Sequence, residues 1–320
     1  MQRFNKILFV GRGTQGDSYG LIQAISLARE YGASLTAVHV CPELPGQLRP
    51  YTDVLLRSLD EKLAASVARA KEIIGPDAEH IRVGHEVGSA GTPVLRIIQL
   101  VLQDGYDLLV KEAEPSVEKG VGRGDERGGF RAFDMQLLRK CPCAVWLCRP
   151  IERSRADIRV GVAIDPSSHE AAGHELSLEL LRLGQSIAGT CSHALAIISC
   201  WSFEYEEYLF ESPWSSVPHD EVRAAVAGAQ RQHRRELDRV IAESGINGAY
   251  EVHHVRGHPA YAVPHHAEHL GLDILVMGTV ARTGIPGLFI GNTAENIMQK
   301  LGCSLVATKP PGFVSPVRTA

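Results

Sequence analysis

The chain has 320 residues, a net charge of −4 and an isoelectric point near 6.4. This weak acidity provides no general basic surface, which argues against nucleic acid as a partner. No apolar run approaches the roughly 20 residues of a membrane span, and the N-terminal stretch shows no signal-peptide pattern, so we expect a cytoplasmic protein that makes no membrane contact. The seven cysteines lie mostly in or beside apolar stretches, which favours reduced thiols over a disulfide framework.

Segments typical of strands and helices alternate along the whole chain. The first half has strand patterns at Lys6–Val10, Ser34–Val40, Ile81–Val87, Asp107–Lys111 and Ala144–Cys148, and helical patterns at Leu21–Tyr31, Tyr51–Ile74, Pro93–Gln103 and Phe133–Lys140. The second half has strands at Arg159–Ile164, His193–Ser199, Tyr250–Val255, Asp273–Met277 and Ser304–Thr308, and helices near 169–187, 220–243, 260–270 and 293–301. Apolar strands that alternate with helices indicate a parallel sheet covered on both faces, so each half should be a five-stranded, doubly wound α/β domain.

One pattern occurs twice. Residues 91–110 and 257–276 align without a gap, and each copy has Gly-x-Pro, a helix-length stretch, then a glycine and an aspartate, Asp107 or Asp273, before an apolar strand. A repeat of about half the chain length indicates two similar domains. We expect them at 1–150 and 151–320.

The second half carries the chemistry-bearing residues at its predicted strand ends. Ligands of open α/β sheets bind beyond the carboxyl ends of the strands. Here these ends present Ala163 and Asp165 after the first strand, Ser199 and Cys200 after the second, and Met277, Gly278 and Thr279 after the fourth. A glycine-rich loop then leads to a helix that starts near Asn292 and Thr293, and such a start is a natural anion site.

The segment MGTVARTGIPGLFIGNTAE, residues 277–295, resembles the second domain of tandem universal stress proteins of the E-type subfamily. Nucleotide-binding members of that family carry a Gly-x2-Gly-x9-Gly-Ser/Thr motif after strand four. The matching positions here are Gly278, Ala281, Gly291 and Asn292, with Thr293 next, so the match is partial. Asp165 matches a family aspartate that lies near the ribose and can help hold a metal. The resemblance implies the adenine nucleotide alpha-hydrolase-like fold and a bound ATP or other adenine nucleotide, with magnesium as its accompanying metal.

The resemblance also implies a role for each position. The backbone near Ser199 and Cys200 would contact adenine, and Asp165 the ribose or the metal. Gly278, Thr279 and Ala281 would line the sugar and first phosphate, and Gly291, Asn292 and Thr293 would hold the distal phosphates. No catalytic residue stands out, so the leading hypothesis is a stress-response sensor or adaptor that binds nucleotide without efficient catalysis and acts on unidentified proteins. The alternatives are a nucleotide-free interaction scaffold and a slow ATP hydrolase or nucleotidyl-transfer enzyme.

The first half keeps less of the motif. Alignment of the two halves places Arg12 opposite Asp165, Glu112 opposite Gly278 and Phe133 opposite Thr293. A carboxylate and a bulky ring would replace the phosphate site, so we infer that this half is a scaffold. The resemblance further implies that the two halves pack as a pseudo-dimer through their fifth strands, Ala144–Cys148 and Ser304–Thr308. A homodimer of tandem chains is a further option.

Several of these residues have structural alternatives. Asn292 followed by Glu295 is also a helix-capping pattern. Gly278 and Gly291 could serve tight turns alone, and Asp165 could cap the next helix. The aromatic segment 201–218 could close over a ligand at the sheet edge, pack between the domains, or cover a hydrophobic ligand.

Two motifs outside the sheet edge call for separate interpretations. His265 and His269 have a spacing that can chelate zinc, although no second liganding helix is evident. Cys141-Pro142-Cys143 lies at a helix-to-strand junction, where buried thiols are the favoured interpretation.

Overall fold

The computed structural model describes residues 4–11, 19–114, 130–167, 170–189, 191–206, 209, 217–279 and 290–319. In the first half the elements are β1 Lys6–Val10, α1 Tyr19–Tyr31, β2 Ser34–Pro42, α2 Thr52–Ile74, β3 Val83–Ala90, α3 Pro93–Asp104, β4 Leu108–Glu112, α4 Ala132–Lys140 and β5 Ala144–Cys148. In the second half they are β6 Val160–Ala163, α5 Ala171–Ala188, β7 Leu195–Trp201, α6 His219–Ser244, β8 Tyr250–Arg256, α7 Pro259–His269, β9 Ile274–Gly278, α8 Asn292–Lys300 and β10 Ser304–Thr308.

The ten strands form one continuous sheet, in the order β3-β2-β1-β4-β5-β10-β9-β6-β7-β8. Neighbouring strands within each half run parallel, and the two halves meet where β5 and β10 pair antiparallel, with Val306 opposite Trp146. The predicted pairing of the two fifth strands is therefore confirmed. All residues of both strands are buried, so the contact covers two apolar edges that would otherwise invite aggregation.

Helices cover both faces of the sheet. α1, α2, α5 and α6 pack on one face around Phe9, Trp146 and Val162, and α3, α4, α7 and α8 pack on the other around Leu109 and Leu275. Each of these two clusters contains residues of both halves, so the halves share their cores. The fold is the predicted doubly wound α/β architecture, duplicated and joined edge to edge.

The repeated glycine and aspartate have a structural role in both copies. Gly105 and Gly271 follow the helix with φ of 68° and 60°, a conformation that favours glycine. Asp107 accepts hydrogen bonds from the backbone N–H groups of Asn5 and Lys6, and Asp273 accepts one from that of Arg159. Each aspartate therefore ties the start of the fourth strand of its half to the start of the first.

Three strands continue two or three residues beyond their predicted carboxyl ends. β2 continues to Pro42, β3 to Ala90 and β7 to Trp201, because parallel pairing extends as far as Pro42 with Ala90 and Trp201 with Arg256. Among the helices in the described part of the chain, none is both long and apolar enough to cross a membrane.

Candidate functional site

The carboxyl ends of β6, β7 and β9 bring the predicted site residues to one edge of the sheet. Ala163 is the last residue of β6 and pairs with Met277 in β9. The Met277 side chain is buried in the core under α8, so its side chain serves packing. Asp165 follows β6 as an exposed residue, and its carboxylate lies close enough to Cys200 to act on that thiol electrostatically.

Asp165 is held by the turn that follows β6. Its Oδ1 accepts a hydrogen bond from the Ser167 N–H at 3.0 Å, and its carbonyl accepts one from Ser177 Oγ at 3.1 Å. The helix α5 begins only at Ala171, with Glu170 in the capping position, so the interpretation of Asp165 as the cap of that helix is wrong. The carboxylate is thus oriented by a local turn and faces solvent at the sheet edge.

Ser199 and Cys200 lie within β7 rather than after it. Ser199 is buried, and its Oγ donates a hydrogen bond to the Ile164 carbonyl at 3.0 Å, which ties β7 to the end of β6. Burial raises the pKa of the Cys200 thiol to about 11, and the negative charge of Asp165 contributes to the rise. Neither side chain is a ready nucleophile, because the hydroxyl is engaged and the thiol is protonated at neutral pH.

Gly278 and Thr279 connect β9 to the glycine-rich loop. A Cβ on Gly278 would lie 2.8 Å from Leu176 Cδ2 of α5, so the close approach of that helix is a structural reason for glycine here. Thr279 is buried, and its N–H donates to the Thr308 carbonyl while its own carbonyl accepts from the Gly291 N–H, both at 3.0 Å. The hydrogen bond between Thr279 and Gly291 therefore brings together the residues before and after the glycine-rich segment. Ala281 lies outside the described residues.

The helix α8 begins at the sheet edge without a side-chain cap. Gly291 is the capping residue, with φ −62° and ψ 141°, and Asn292 is the first helical residue. The interpretation of Asn292 as the cap is therefore wrong by one position, and Glu295 instead pairs with Arg139 of the first half at 2.5 Å. The N–H groups of the first turn, which includes Thr293, face a position where an anion would be stabilised by the helix dipole.

In the first half, the chain's own charges occupy the equivalent edge. Glu112, at the position of Gly278, is buried, and its Oε1 accepts from the Gly20 N–H at the start of α1 at 3.1 Å. Lys111 and Asp134 form a buried ion pair of 2.8 Å, and the Lys111 ammonium also lies over the Phe133 ring. Glu112 and Phe133 thus both lie at this edge, and the replacement of a phosphate site by these side chains stays a prediction. Arg12 lies outside the described residues.

Beside the candidate site lies a stack of rings that the sequence analysis did not single out. The His233 and His254 rings are stacked, with Nδ1 of the former 2.9 Å from Nε2 of the latter, and Trp201 stacks on the other side of His254. Burial lowers the pKa of both histidines. Only the tertiary fold reveals this cluster, because His233 comes from α6 and His254 from β8.

The same stack borders a pocket of about 380 Å³. Its polar lining comes from β7, β8, α6 and the segment after β7, namely Trp201, Glu206, Arg223, Gln230, His254 and Arg256. Trp201 therefore lines a pocket, and whether segment 201–218 closes over a ligand stays a prediction. Residues 207, 208 and 210–216 of that segment lie outside the described part of the chain.

The histidines of α7 do not form a metal centre with other side chains. His265 and His269 stack with their ring centroids 6.4 Å apart. Within the described ranges, no group of three or more His, Cys, Asp or Glu side chains is placed to hold a metal ion.

Comparison with known proteins identifies relatives over nearly the whole chain. The model of the universal stress protein family matches residues 3–149 and 159–309. Universal stress protein E of Escherichia coli K12 is 29% identical over 328 residues, covering 99% of this chain and 98% of that protein. Its Photorhabdus laumondii counterpart is 30% identical over 236 residues, covering 71% of this chain and 69% of that protein.

Solved structures with the same fold also span nearly the full length. A functionally unknown protein of Pseudomonas aeruginosa PAO1 superposes with a TM-score of 0.70 at 20% identity, covering 96% of this chain and 93% of that one. A putative universal stress protein of P. aeruginosa UCBPP-PA14 gives a TM-score of 0.68 at 22% identity, covering 96% and 94%. These likenesses establish the tandem fold.

Proposed function

This chain belongs to the universal stress protein family, and from that premise we propose that it is a stress-response sensor or adaptor that binds an adenine nucleotide at the sheet edge of its second half. ATP with magnesium is the first candidate ligand, and ADP or AMP are the others. The first half acts as a scaffold in this proposal.

The contrast between the two halves is the observation that carries the proposal. Where the first half places Glu112, Lys111 and Asp134, the second half has Gly278, Met277 and Ala294. In the first half, Lys111 pairs with Asp134 and Glu112 accepts a hydrogen bond from the Gly20 N–H, whereas the second half has no charged side chain at these three positions. Neither α4 nor α8 has a side-chain cap, but only α8 starts at an edge without these charges, where its N–H groups can stabilise phosphate charge.

Each predicted residue has a role that its position supports. Asp165 would accept hydrogen bonds from ribose hydroxyls or supply a hard oxygen ligand to magnesium, for which a solvent-facing carboxylate is suited. The backbone of Gly278 and Thr279 would line the sugar and the first phosphate, with Ala281 in the adjoining loop. Gly291, Asn292 and Thr293 would bind the distal phosphates, and the β7 backbone near Ser199 and Cys200 would contact adenine.

Hydrolysis at this site should be slow. In the described residues of the edge, the Ser199 hydroxyl is engaged with the Ile164 carbonyl, and the Cys200 thiol has a raised pKa. Among the described residues, neither group donates a hydrogen bond to a base that could activate it for attack on a phosphate. The nucleotide would therefore act as a bound signal rather than as a substrate.

The experiment is a calorimetric titration of the full-length protein with ATP and with AMP, each with and without Mg²⁺. Gly291→Trp places a large side chain at the start of α8 and should abolish binding. Arg131→Trp makes the same change at the start of α4, where Arg131 holds the equivalent capping position, and should leave binding unchanged. Circular dichroism confirms that both variants fold.

Two outcomes would refute the proposal. One is the absence of saturable binding of either nucleotide to the wild-type protein, which would favour the nucleotide-free scaffold. The other is an equal loss of affinity in the Gly291→Trp and Arg131→Trp variants, since that would not localise the site to the second half. Turnover well above background would favour the hydrolase.

A further inference from the structure

Two cysteine thiols lie in contact at the junction between the halves. Cys141 ends α4 and Cys143 precedes β5, and their Sγ atoms are 3.4 Å apart. Cys141 is fully buried and Cys143 is partly exposed. A short further approach of the sulfur atoms would reach the S–S bond length of about 2.05 Å.

A buried lysine lies on the same face. The β5–β10 register pairs Ala307 with Val145, so two residues further along Lys309 falls opposite Cys143. Directly opposed residues of an antiparallel pair project to the same side. The Lys309 side chain is buried, its Nζ lies over the Phe313 ring, and in the described part of the chain that Nζ has no hydrogen-bond acceptor.

An ammonium in this position requires a counter-charge. Burial without a hydrogen bond or an anion is strongly unfavourable for an ammonium group. Burial lowers the pKa of Lys309, and negative charge on Cys141 or Cys143 opposes that effect. Cys141 and Cys143 are the groups whose negative charge would favour the ammonium form of Lys309.

The two thiols are not equivalent. Burial raises the pKa of the Cys141 thiol, but the hydrogen bond from Cys143 and the Lys309 ammonium together outweigh burial, so the pKa lies below its ordinary value. The pKa of Cys143 is raised well above its ordinary value by its hydrogen bond to Cys141 and by burial. Of the two thiols, Cys141 is therefore the one that loses its proton more readily, and Cys143 is the hydrogen-bond donor beside it.

The second half provides a natural comparison. Its equivalent segment is Leu301-Gly302-Cys303, so it has one cysteine where the first half has two. The same register places Cys303 opposite Arg149, and burial raises the pKa of Cys303 to about 12 despite that cation. Burial thus outweighs the nearby cation at Cys303, and the feature that the first half adds is the hydrogen bond from a second thiol.

We propose that Cys141 and Cys143 form a redox-active pair that hydrogen peroxide oxidises to an intramolecular disulfide, which a thiol reductant reverses. The Cys141 thiolate attacks one peroxide oxygen, the O–O bond breaks, and hydroxide leaves. The sulfur of Cys143 then attacks the Cys141 sulfur, the S–O bond breaks, and the leaving hydroxide takes the Cys143 proton as water. The two thiols lose two electrons, the peroxide gains them, and Lys309 stabilises the attacking thiolate.

The test is a peroxide titration of the full-length protein. After treatment, free thiols are alkylated and the tryptic peptide 141–153, which contains Cys141, Cys143 and Cys148, is analysed by mass spectrometry. We expect three alkyl groups before oxidation and one, on Cys148, afterwards, with dithiothreitol restoring three. A wild-type peptide that keeps three free thiols, or whose cysteines oxidise only to sulfinic acid, would overturn the proposal.

Matched variants localise the chemistry. Cys303→Ala and Cys148→Ala should leave the disulfide between Cys141 and Cys143 unchanged, whereas Cys141→Ser should form none. Lys309→Met should raise the pKa of Cys141 and thereby slow disulfide formation, by about threefold for each unit of pKa. A higher pKa leaves less thiolate, but the thiolate that remains is more nucleophilic, which offsets part of the loss. Lys309→Arg should retain most of the rate. Equal rates for Lys309→Met and the wild-type protein would remove Lys309 from the mechanism.

Discussion

At the residue scale, the two halves show how one position can serve either a binding site or a packed edge. Glu112 in the first half fills the edge and hydrogen-bonds to the start of α1, whereas Gly278 in the second half adds no side chain. Gly278 also packs against Leu176, so this glycine satisfies a structural constraint as well as the binding role that we propose for it. The functional assignment consequently depends on comparing equivalent residues rather than on a motif alone.

The buried ion pair of the first half provides a stability prediction. Asp134→Ala leaves the Lys111 ammonium buried without its carboxylate and should lower the free energy of unfolding by about 3 kcal/mol. Adding Lys111→Met gives the first half the residues that the second half has at Ala294 and Met277, and should restore most of that loss. Urea denaturation of the three proteins measures the coupling. A double variant less stable than Asp134→Ala would contradict the prediction.

The stacked histidines predict a pH dependence of stability. Burial lowers the pKa of His233 and His254 below the ordinary value of 6.5, although Asp165 and Glu236 favour the protonated form of His233. The unfolded chain therefore binds protons that the folded protein does not, and the stability present above pH 6.5 is lost as the pH falls below that value. His233→Gln should flatten this dependence in urea denaturation between neutral and mildly acidic pH. An unchanged slope would show that these rings do not govern it.

At the scale of elements, the repeated aspartates explain why one pattern occurs in both halves. Asp107 and Asp273 each bind backbone N–H groups at the start of the first strand of their half, and Asp273 also pairs with Arg153 at 2.9 Å. The repeat therefore marks the scaffold that positions β1 against β4 and β6 against β9. The residues in which the copies differ lie at the opposite ends of these strands, where the ligand is proposed.

Removing one of these aspartates should lower the free energy of unfolding and leave nucleotide affinity unchanged. Asp273→Ala deprives the Arg159 N–H and the Arg153 guanidinium of their acceptor and should lower the free energy of unfolding by about 2 kcal/mol. Nucleotide affinity should stay the same, because Asp273 lies at the amino end of β9. Thermal unfolding and calorimetric titration of the same sample measure both quantities. A large loss of affinity without a change in stability would contradict the proposed division of roles.

The sequence predicted most elements to within two or three residues because hydrophobic periodicity reflects burial directly. The two features that the sequence did not predict both depend on contacts between segments far apart in the chain. The predicted third strand ended at Val87 because Gly88, Ser89 and Ala90 look like loop residues, yet pairing with β2 holds them in β3. The His233–His254 stack was not found at all, because residues from α6 and β8 meet only in the folded chain.

At the scale of the whole molecule, the two halves form one body through β5 and β10. Both strands are buried only because each covers the other, and the two cores continue from one half into the other. The β5–β10 interface is therefore intramolecular in this chain. Two separately produced halves would have to form the same interface between two molecules.

An isolated second half, residues 151–320, tests this interpretation. Its β10 edge would be exposed, and a long apolar edge recruits another strand. We expect it to self-associate, and adding the separately produced first half should give a one-to-one complex. Analytical ultracentrifugation distinguishes these species. A second half that stays monomeric and soluble would show that the β5–β10 contact is not required to cover the edge.

The sequence by itself determined the α/β class and the duplication, because periodicity and repeats are local properties of the chain; the loss of the site in the first half stays a prediction. Only the tertiary structure decided that ten strands form a single sheet, that Glu112 caps α1, and that Lys309 lies opposite Cys143. Each of these depends on segments far apart in the chain, and their contacts arise from strand register and helix packing, which no local pattern encodes.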